Sequence, residues 1–532
     1  MVRDVVVGAR EGPRGVVGRH HDHHPRLRLP LHQSSRRNHE AGEMQERYPT
    51  RRSESRCDAA VNGLTGNGLK GVWSDASSAS GMRAVGGGEA RFRSRRAFGL
   101  VALWALSLGL RVLFFSGLDV QETLRADAYH YGTLAWNLVN RSTYEDNTDP
   151  AFQADMRWPP GYPALIAPFF DGRDLRAGTE AALRAQVLIG SVLPLLVVVL
   201  GQRFLAAPAA GFAGLLSACC PVLVTMPSFL TTESHFTVVL FLTLLVVARL
   251  LDHPTPAGGI RAGLLCGLLA LIRSDTIGFP AVIAAYLARR GPPAGRRRVA
   301  LLLLATAALP ALAWEIRNRV EIAHGASSAS YFARPLAEGI YPDLRYGNAN
   351  RGYAFVADPE FPEFSQSISK TLAKLWERTK ADPWPNLRWN LVGRWLTLWE
   401  FHMIQDPPIH IYPVRRGLFR PAAINPDGRD EPLRAVYWVF RALYYLVVPA
   451  VLIGAVVALR RRRASTTPAR RLIELLYLAL AYHVALHSII IPEPRFMVPM
   501  RPLLYLLALA TVFPLGAADR GSCLPSHPTG QA

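Results

Sequence analysis

The chain has 532 residues, half of them hydrophobic, and a net charge of +20. A soluble chain of this length would divide into several domains. Here apolar runs recur from about residue 98 to about 515, each near the ~20 residues that a helix needs to cross a hydrocarbon core of roughly 30 Å. That excludes an ordinary soluble enzyme and predicts an all-α polytopic membrane protein with about ten transmembrane helices. Among the 60 Lys and Arg, Arg dominates, and its clusters fall between the apolar runs. The basic charge therefore reads as topology, since cytoplasmic loops gather Lys and Arg. No basic stripe is interleaved with aromatics as nucleic-acid binding would need.

Residues 1–96 read as a disordered basic tail, rich in Arg, Gly, Ser and His, without sustained periodicity. The run His20-His-Asp-His-His24 is its extreme; no secretory-signal pattern follows Met1, and Met82 is an alternative start. A first span is expected from about Phe98 to Leu118, with the Arg cluster before it placing the N-terminus in the cytoplasm. The first loop, 119–182, then emerges on the outer face, where Tyr131, Leu134, Ala135 and Leu138 recur at helical spacing and predict an interfacial helix.

Further spans are expected at about 183–204, 208–227 and 234–251, followed by two short passes within 257–291 that turn near Arg273. Two passes, rather than one, keep Arg289, Arg290 and Arg296 to Arg298 in the cytoplasm. A seventh span, about 299–318, completes an N-terminal membrane module over 97–318. Residues 319–433, rich in Pro, Trp and Asn, predict a folded or docked outer-face region. Spans at about 436–459, 471–491 and 497–516 form a C-terminal membrane module over 434–516, ahead of a short polar tail, 517–532. Cys219, Cys220 and Cys266 fall in apolar runs and Cys57 and Cys523 in polar ends, so free thiols are expected and no metal-ligand spacing is present.

On this topology Asp127, Glu233, Arg273, Arg317, Glu493 and Arg495 converge at the outer ends of helices. Ionisable groups at membrane depth line a cavity or pathway more often than they face lipid. An outward carboxylate with several arginines suits transfer from a phosphate-activated lipid. A base takes the proton of the attacking hydroxyl, and planar guanidinium forks hold the departing phosphate. The run Trp158-Pro-Pro-Gly-Tyr-Pro163 reads as a rigid structural turn, with Trp158, Pro160, Gly161 and Tyr162 as its key residues. Arg111, inside the first span, is read as paired or snorkelling.

The order of these features resembles the polyprenyl-phosphate-sugar-dependent membrane glycosyltransferases of the C-type fold, in the protein mannosyltransferase and aminoarabinose transferase-like branch. The resemblance rests on Asp127-Ala-Tyr129, Asn137-Leu138, Pro159-Pro-Gly-Tyr-Pro163 and Thr232-Glu-Ser234. It continues with the helix Gly263-Leu-Leu-Cys-Gly-Leu-Leu-Ala-Leu-Ile-Arg273, Ile316-Arg-Asn318 and Glu493-Pro-Arg-Phe496, and covers about 97–515. It implies an inverting transfer from a lipid-phosphate sugar, with Asp127 as catalytic base and Tyr129, Glu233, Arg273, Arg317, Glu493 and Arg495 binding substrate. Asp127 is followed by Ala128 where some relatives carry a second acid, which favours phosphate neutralisation by Arg with no required metal cofactor. Asp155 and the acidic run at Glu145 and Asp146 read as solvated loop charges.

The expected partners are a polyprenyl-phosphate-linked sugar, an acceptor hydroxyl on a protein, glycan or lipid, and membrane lipid, with no nucleic acid. The expected location is a multi-pass inner or plasma membrane position with the active site outward. Two alternatives predict other features: a lipid-linked-sugar transporter or flippase calls for internal repeats and midplane charges, and a non-catalytic lipid-binding relative calls for loss of Asp127.

Overall fold

The computed structural model describes residues 86–117, 120–124, 127–145, 158–321, 330–345, 354–401, 431–460 and 467–513. The chain divides into Met1–Ala84 and Val85–Ala532, and the described residues all fall in the second unit. The N-terminal tail through residue 85, Arg125, Asp146, Asp155, the C-terminal tail 517–532 and parts of 319–433 lie outside the described residues.

The described residues are helical, without strands. The principal helices are α1 (Gly86–Ser116), α2 (Asp127–Asn140), α3 (Gly161–Ile166), α4 (Leu175–Gly201, with a break at Val192), α5 (Ala207–Cys219), α6 (Glu233–Asp252), α7 (Pro256–Ile272), α8 (Phe279–Arg290) and α9 (Arg296–Glu321). They continue as α10 (Ile368–Ala381), α11 (Glu431–Arg460), α12 (Pro468–Ile489) and α13 (Arg501–Val512). Six stretches are long and apolar enough to cross a membrane: Arg96–Ser116, Leu175–Gly201, Glu233–Asp252, Arg296–Val320, Trp438–Arg460 and Pro468–Ile489. Ala207–Cys219 and Pro221–Ser228 make a seventh if their 60° bend lies within one span. The remaining expected spans are short helices, α7, α8 and α13, so ten full-length crossings are not found among the described residues.

The helices end where backbone chemistry makes them end. Thr255 caps α7 by accepting from the Gly258 amide, and Pro256 follows at the first position. At the far end Arg273 adopts an extended conformation (φ −145°, ψ 114°) and breaks the helix before α8. The two short passes expected over 257–291 are thus a helix, a polar turn at 273–278 and a second helix of 12 residues. The first has 17 residues and the second 12, both shorter than the six long apolar helices.

Glycine lets α7 approach its neighbours. Gly259, Gly263 and Gly267 recur every four residues and face α9. A Cβ on Gly263 would run into the Thr306 hydroxyl, and one on Gly267 would lie 2.7 Å from Pro310 Cγ. Small residues at this spacing let helix backbones touch where lipid supplies no hydrophobic force between helices. Gly161 does the same at the end of α7: its Cβ would stand 2.5 Å from the Leu271 carbonyl carbon. The Pro-Pro-Gly-Tyr-Pro run therefore opens a helix seated on the α7 terminus. Tyr162 is fully buried there and donates to Gln186 Oε1 at 3.0 Å, while Gln186 donates to the carbonyls of Pro227 and Phe229.

The apolar face of α2, expected to rest on lipid, is covered by protein instead. Ala128, Tyr131, Leu134 and Ala135 are buried against α3 and α4. Arg111 is also fully buried and donates to the carbonyls of Ser107 and Leu223, the second at the bend after α5. Its terminal nitrogens are held inside the bundle by these carbonyls and the Ser107 hydroxyl, without snorkelling.

The bundle has two chemically different ends. At one, Arg96 bonds Gln202, Arg203 pairs with Asp252, and Arg290 lies 3.9 Å from Glu474. The other holds Glu233, Arg273 and the loop between α12 and α13. The 20 residues of α6 separate Glu233 from Asp252, about 30 Å at 1.5 Å per residue. Single cysteines at Ala294 and Asp171, both exposed, should therefore react with a membrane-impermeant maleimide from opposite sides of sealed vesicles. Labelling of both from one side would overturn the two-ended bundle.

Candidate functional site at the acidic–basic end of the bundle

Arg273 sits at the break after α7, 8% exposed, between three elements. Its guanidinium is 3.3 Å from Glu233 Oε1 at the start of α6 and donates to Asp275 Oδ2 at 2.8 Å. The same Asp275 oxygen lies 3.0 Å from Nε2 of His487 near the end of α12. Helix termini supply these groups because a terminus is where a side chain leaves the apolar bundle without breaking a backbone hydrogen bond. Burial works against the Asp275 carboxylate, but Arg273 and His487 outweigh it and hold its pKa well below the usual carboxylate range. Burial lowers Arg273 in the same way, and the two carboxylates reverse this and raise it. The group is a fixed cation.

A second cluster lies beside the first. Arg495, in the loop between α12 and α13, donates to Asp127 Oδ2 at 2.8 Å and lies 2.7 Å from Glu493 Oε2. Burial opposes the Arg495 charge, and Glu493, Asp127 and Glu233 raise its pKa well above the ordinary value. Glu493 moves the other way for a carboxylate paired with arginine. Burial pushes it up, Arg495 pulls it down by less, and Asp127, Glu338 and Glu233 push it up again. The Arg495 guanidinium, shared with Asp127, does not compensate the Glu493 carboxylate in full.

Phe496 joins the clusters. The Arg273 guanidinium carbon is 4.7 Å from its ring centroid, the Arg495 carbon 5.2 Å, and the His487 ring stacks on it at 4.4 Å. Cations over aromatic faces at this range gain from the ring quadrupole. Tyr131 on α2 lies within electrostatic reach of Asp127, Glu233, Arg495 and Arg273, and burial followed by the two carboxylates raises its pKa. Asp127, Glu233, Arg273, Glu493 and Arg495 thus share one end of the bundle.

Two further expected residues have contacts with other side chains. Arg317, near the end of α9, lies 5.0 Å from the Trp314 ring and 5.8 Å from that of Tyr144, and donates to Asn318 Oδ1. Tyr129 is 37% exposed and meets the His130 ring edge-on at 6.4 Å. Trp158, on the same side, stacks on His130 at 5.4 Å and meets Tyr131 at 4.9 Å.

Sequence reasoning missed Asp275 as a partner, His487, His483 and Phe496. His483 Nε2 bonds the Phe496 carbonyl at 2.6 Å and packs on His487 at 4.4 Å. Two His at i and i+4 late in an apolar helix were the available signal. Glu233 Oε2 and Ser234 Oγ have no hydrogen-bond partner among the described residues, and both residues line a small cavity with Thr237, Gly190 and Pro227. Buried polar atoms left open beside a cavity can receive a polar ligand or water. Among the described residues, no group of three or more His, Cys, Asp or Glu side chains is arranged to hold a metal ion.

Fold and site together define a polytopic helical membrane protein with a cluster of carboxylates and guanidinium groups at one end of its bundle. The family profile described as dolichyl-phosphate-mannose-protein mannosyltransferase matches residues 159–314, inside the region over which the sequence resembles polyprenyl-phosphate-sugar glycosyltransferases. No protein of curated function matches the sequence. Among solved structures, the apo oligosaccharyltransferase of Archaeoglobus fulgidus is 15% identical at a TM-score of 0.43, covering 78% of this chain and 50% of that one. The oligosaccharyltransferase AglB from the same organism, in complex with an inhibitory peptide and a dolichol-phosphate, is 16% identical at 0.42, covering 78% and 50%. ArnT from Cupriavidus metallidurans bound to undecaprenyl phosphate is 16% identical at 0.33, covering 73% and 77%. The chain spans about half the length of the archaeal chains it matches.

Replacing Asp275 with Asn leaves Arg273 and His487 without their shared anion. Removing one partner of a buried pair costs about 3–5 kcal/mol, and the remaining Glu233 contact places D275N towards the lower figure. Thermal unfolding of the detergent-purified protein should show a clear drop in midpoint. An unchanged midpoint would show that this pair contributes no stability.

Proposed function

We propose that the protein is an integral-membrane glycosyltransferase that moves a sugar from a polyprenyl-phosphate donor to an acceptor hydroxyl. The single observation that carries this reading is the meeting of Asp127 with Arg495 at 2.8 Å, with Arg273 sharing the Phe496 ring. One carboxylate and two guanidinium groups at the end of a lipid-embedded bundle suit a reaction whose leaving group is a lipid phosphate.

In the proposed reaction the acceptor oxygen attacks the anomeric carbon and the bond to the phosphate oxygen breaks, with inversion. Asp127 takes the acceptor proton, and the electron pair departs with the polyprenyl phosphate. Arg495 and Arg273 receive the growing negative charge in a low-dielectric setting, where fixed cations act most strongly. Arg495 is held by Asp127 and Glu493. A donor phosphate that takes over this guanidinium releases the Asp127 carboxylate to act as base, so donor binding and base activation are linked. The open Glu233 oxygen faces the small cavity and receives a donor sugar hydroxyl. Tyr129 and Arg317 lie on the Trp158 side and contribute to substrate binding at its edge.

The same reading assigns the arginine-rich end to the cytoplasm under the positive-inside rule and the reaction to the outer face. It divides the chain into membrane modules 97–318 and 434–516, with 319–433 recognising part of the acceptor. Phosphate charge is neutralised by arginine, without a required metal. The acceptor hydroxyl belongs to a protein, a glycan or a lipid.

Asp127→Asn removes the base while keeping the shape and a hydrogen-bond acceptor for Arg495. Transfer by the purified variant should fall by about 10²–10⁴-fold, the usual contribution of a general base, with the unfolding midpoint little changed. Wild-type turnover by D127N would remove Asp127 from the role of base.

A further inference from the structure

Beyond the site, the described part of 319–433 carries a surface that the enzymatic reading does not use. The stretch Pro383–Leu398 is helical throughout, with a π-turn at Trp389–Gly393. Along it Trp384, Leu387, Leu391 and Trp395 recur at intervals of three and four, and all are exposed, as are Val392 and Leu396. Trp384 is 75% exposed, Leu391 69% and Leu396 67%. Exposed apolar side chains gathered along one stretch mark a protein or membrane interaction site.

The depth of this stretch is fixed by its other face. Arg394 is buried and donates to the carbonyl of Ile489 at 2.5 Å, with those of Ser488 and Ile490 at 3.3 and 3.5 Å. These are the open carbonyls at the end of α12, a helix of spanning length and hydropathy, and a guanidinium satisfies them as a cation does at any helix C-terminus. Trp389 is fully buried one turn earlier and donates to the Gly339 carbonyl, packing with Leu344 and Ile491. The stretch is therefore fastened to the end of a helix of spanning length. Ile489, whose carbonyl accepts from Arg394, is itself 60% exposed, so the exposed apolar surface runs from the span onto the stretch. The preceding helix α10 adds Ile368, Leu372 and Trp376, exposed at intervals of four, with Lys380 Nζ 5.0 Å over the Trp376 ring. Trp beside Lys is the residue pairing found at the headgroup level.

We propose that residues 383–398 form an interfacial helix whose exposed Trp and Leu side chains lie in the headgroup–acyl boundary of the leaflet at the site's end of the bundle, with phospholipid as their partner. An amphipathic helix held in this plane buries its apolar side to a depth of about 5–10 Å. It makes this stretch part of the membrane anchor, whatever chemistry the site performs.

The test is spin labelling of the full chain, with its native cysteines replaced, in vesicles of phosphatidylethanolamine and phosphatidylglycerol. Labels are placed singly at Leu391, Leu396 and Trp384, with Leu309 in the middle of the α9 span as the lipid-facing reference. Collision with oxygen should exceed collision with a water-soluble nickel chelate at 391 and 396, at a shallower depth than at 309. Position 384 supplies an independent reading if either of the others fails to fold. Greater accessibility to nickel than to oxygen would place the helix in water and overturn the proposal. Low accessibility to both would show a protein covering the face and would overturn it equally. Neither measurement depends on glycosyl transfer.

Discussion

The arrangement at the site's end of the bundle depends on one buried cation. Arg273 ends α7, contacts Glu233 on α6 and Asp275 on the following turn, and through Asp275 reaches His487 on α12. A lone guanidinium at this depth would be costly. Its two carboxylates and its aromatic neighbours make the position tolerable, and in doing so tie three elements together. The cation therefore constrains where α6, α7 and α12 end relative to one another, and with them the loop that carries Glu493, Arg495 and Phe496. Asp127 arrives from a different part of the chain and is held through Arg495.

This organisation explains why so many polar groups are found at helix ends and so few along them. The lipid-facing surfaces of α1, α9 and α11 are apolar, with Phe98, Leu309 and Leu446 among the most exposed side chains. Between α7 and α9, Gly259, Gly263 and Gly267 let the backbones meet directly. The described ion pairs of the site gather at one end of the bundle. The arginine-rich end and the mixed-charge end are separated by the length of α6.

Much of this was legible in the residues. Long apolar runs bounded by Arg clusters gave the helical membrane class and the approximate positions of α1, α4, α6, α9, α11 and α12. Parity of the Arg clusters also indicated that 257–291 turns back at Arg273, where the extended backbone and the Asp275 turn now lie. The number of full crossings was not legible, since hydropathy windows do not distinguish a 12-residue helix such as α8 or α13 from a span when apolar loops flank it. Nor was the burial of α2 legible, because its stripe of Tyr131, Leu134 and Ala135 suits protein as well as lipid. In the site, charged residues announced themselves, while His483, His487 and Phe496 did not. Each resembles an ordinary residue of an apolar segment until the partner is seen: Asp275 lies 212 positions before His487.

The most direct test of the account is chemical. Purified full-length protein is incubated with a panel of polyprenyl-phosphate sugars and a mixed set of hydroxyl acceptors, and free polyprenyl phosphate is measured. The account requires release from at least one donor, with a matching gain of sugar on an acceptor. Protein that binds polyprenyl phosphate but releases none from any donor would show that the Asp127, Arg273 and Arg495 cluster is a lipid-binding site without transfer chemistry.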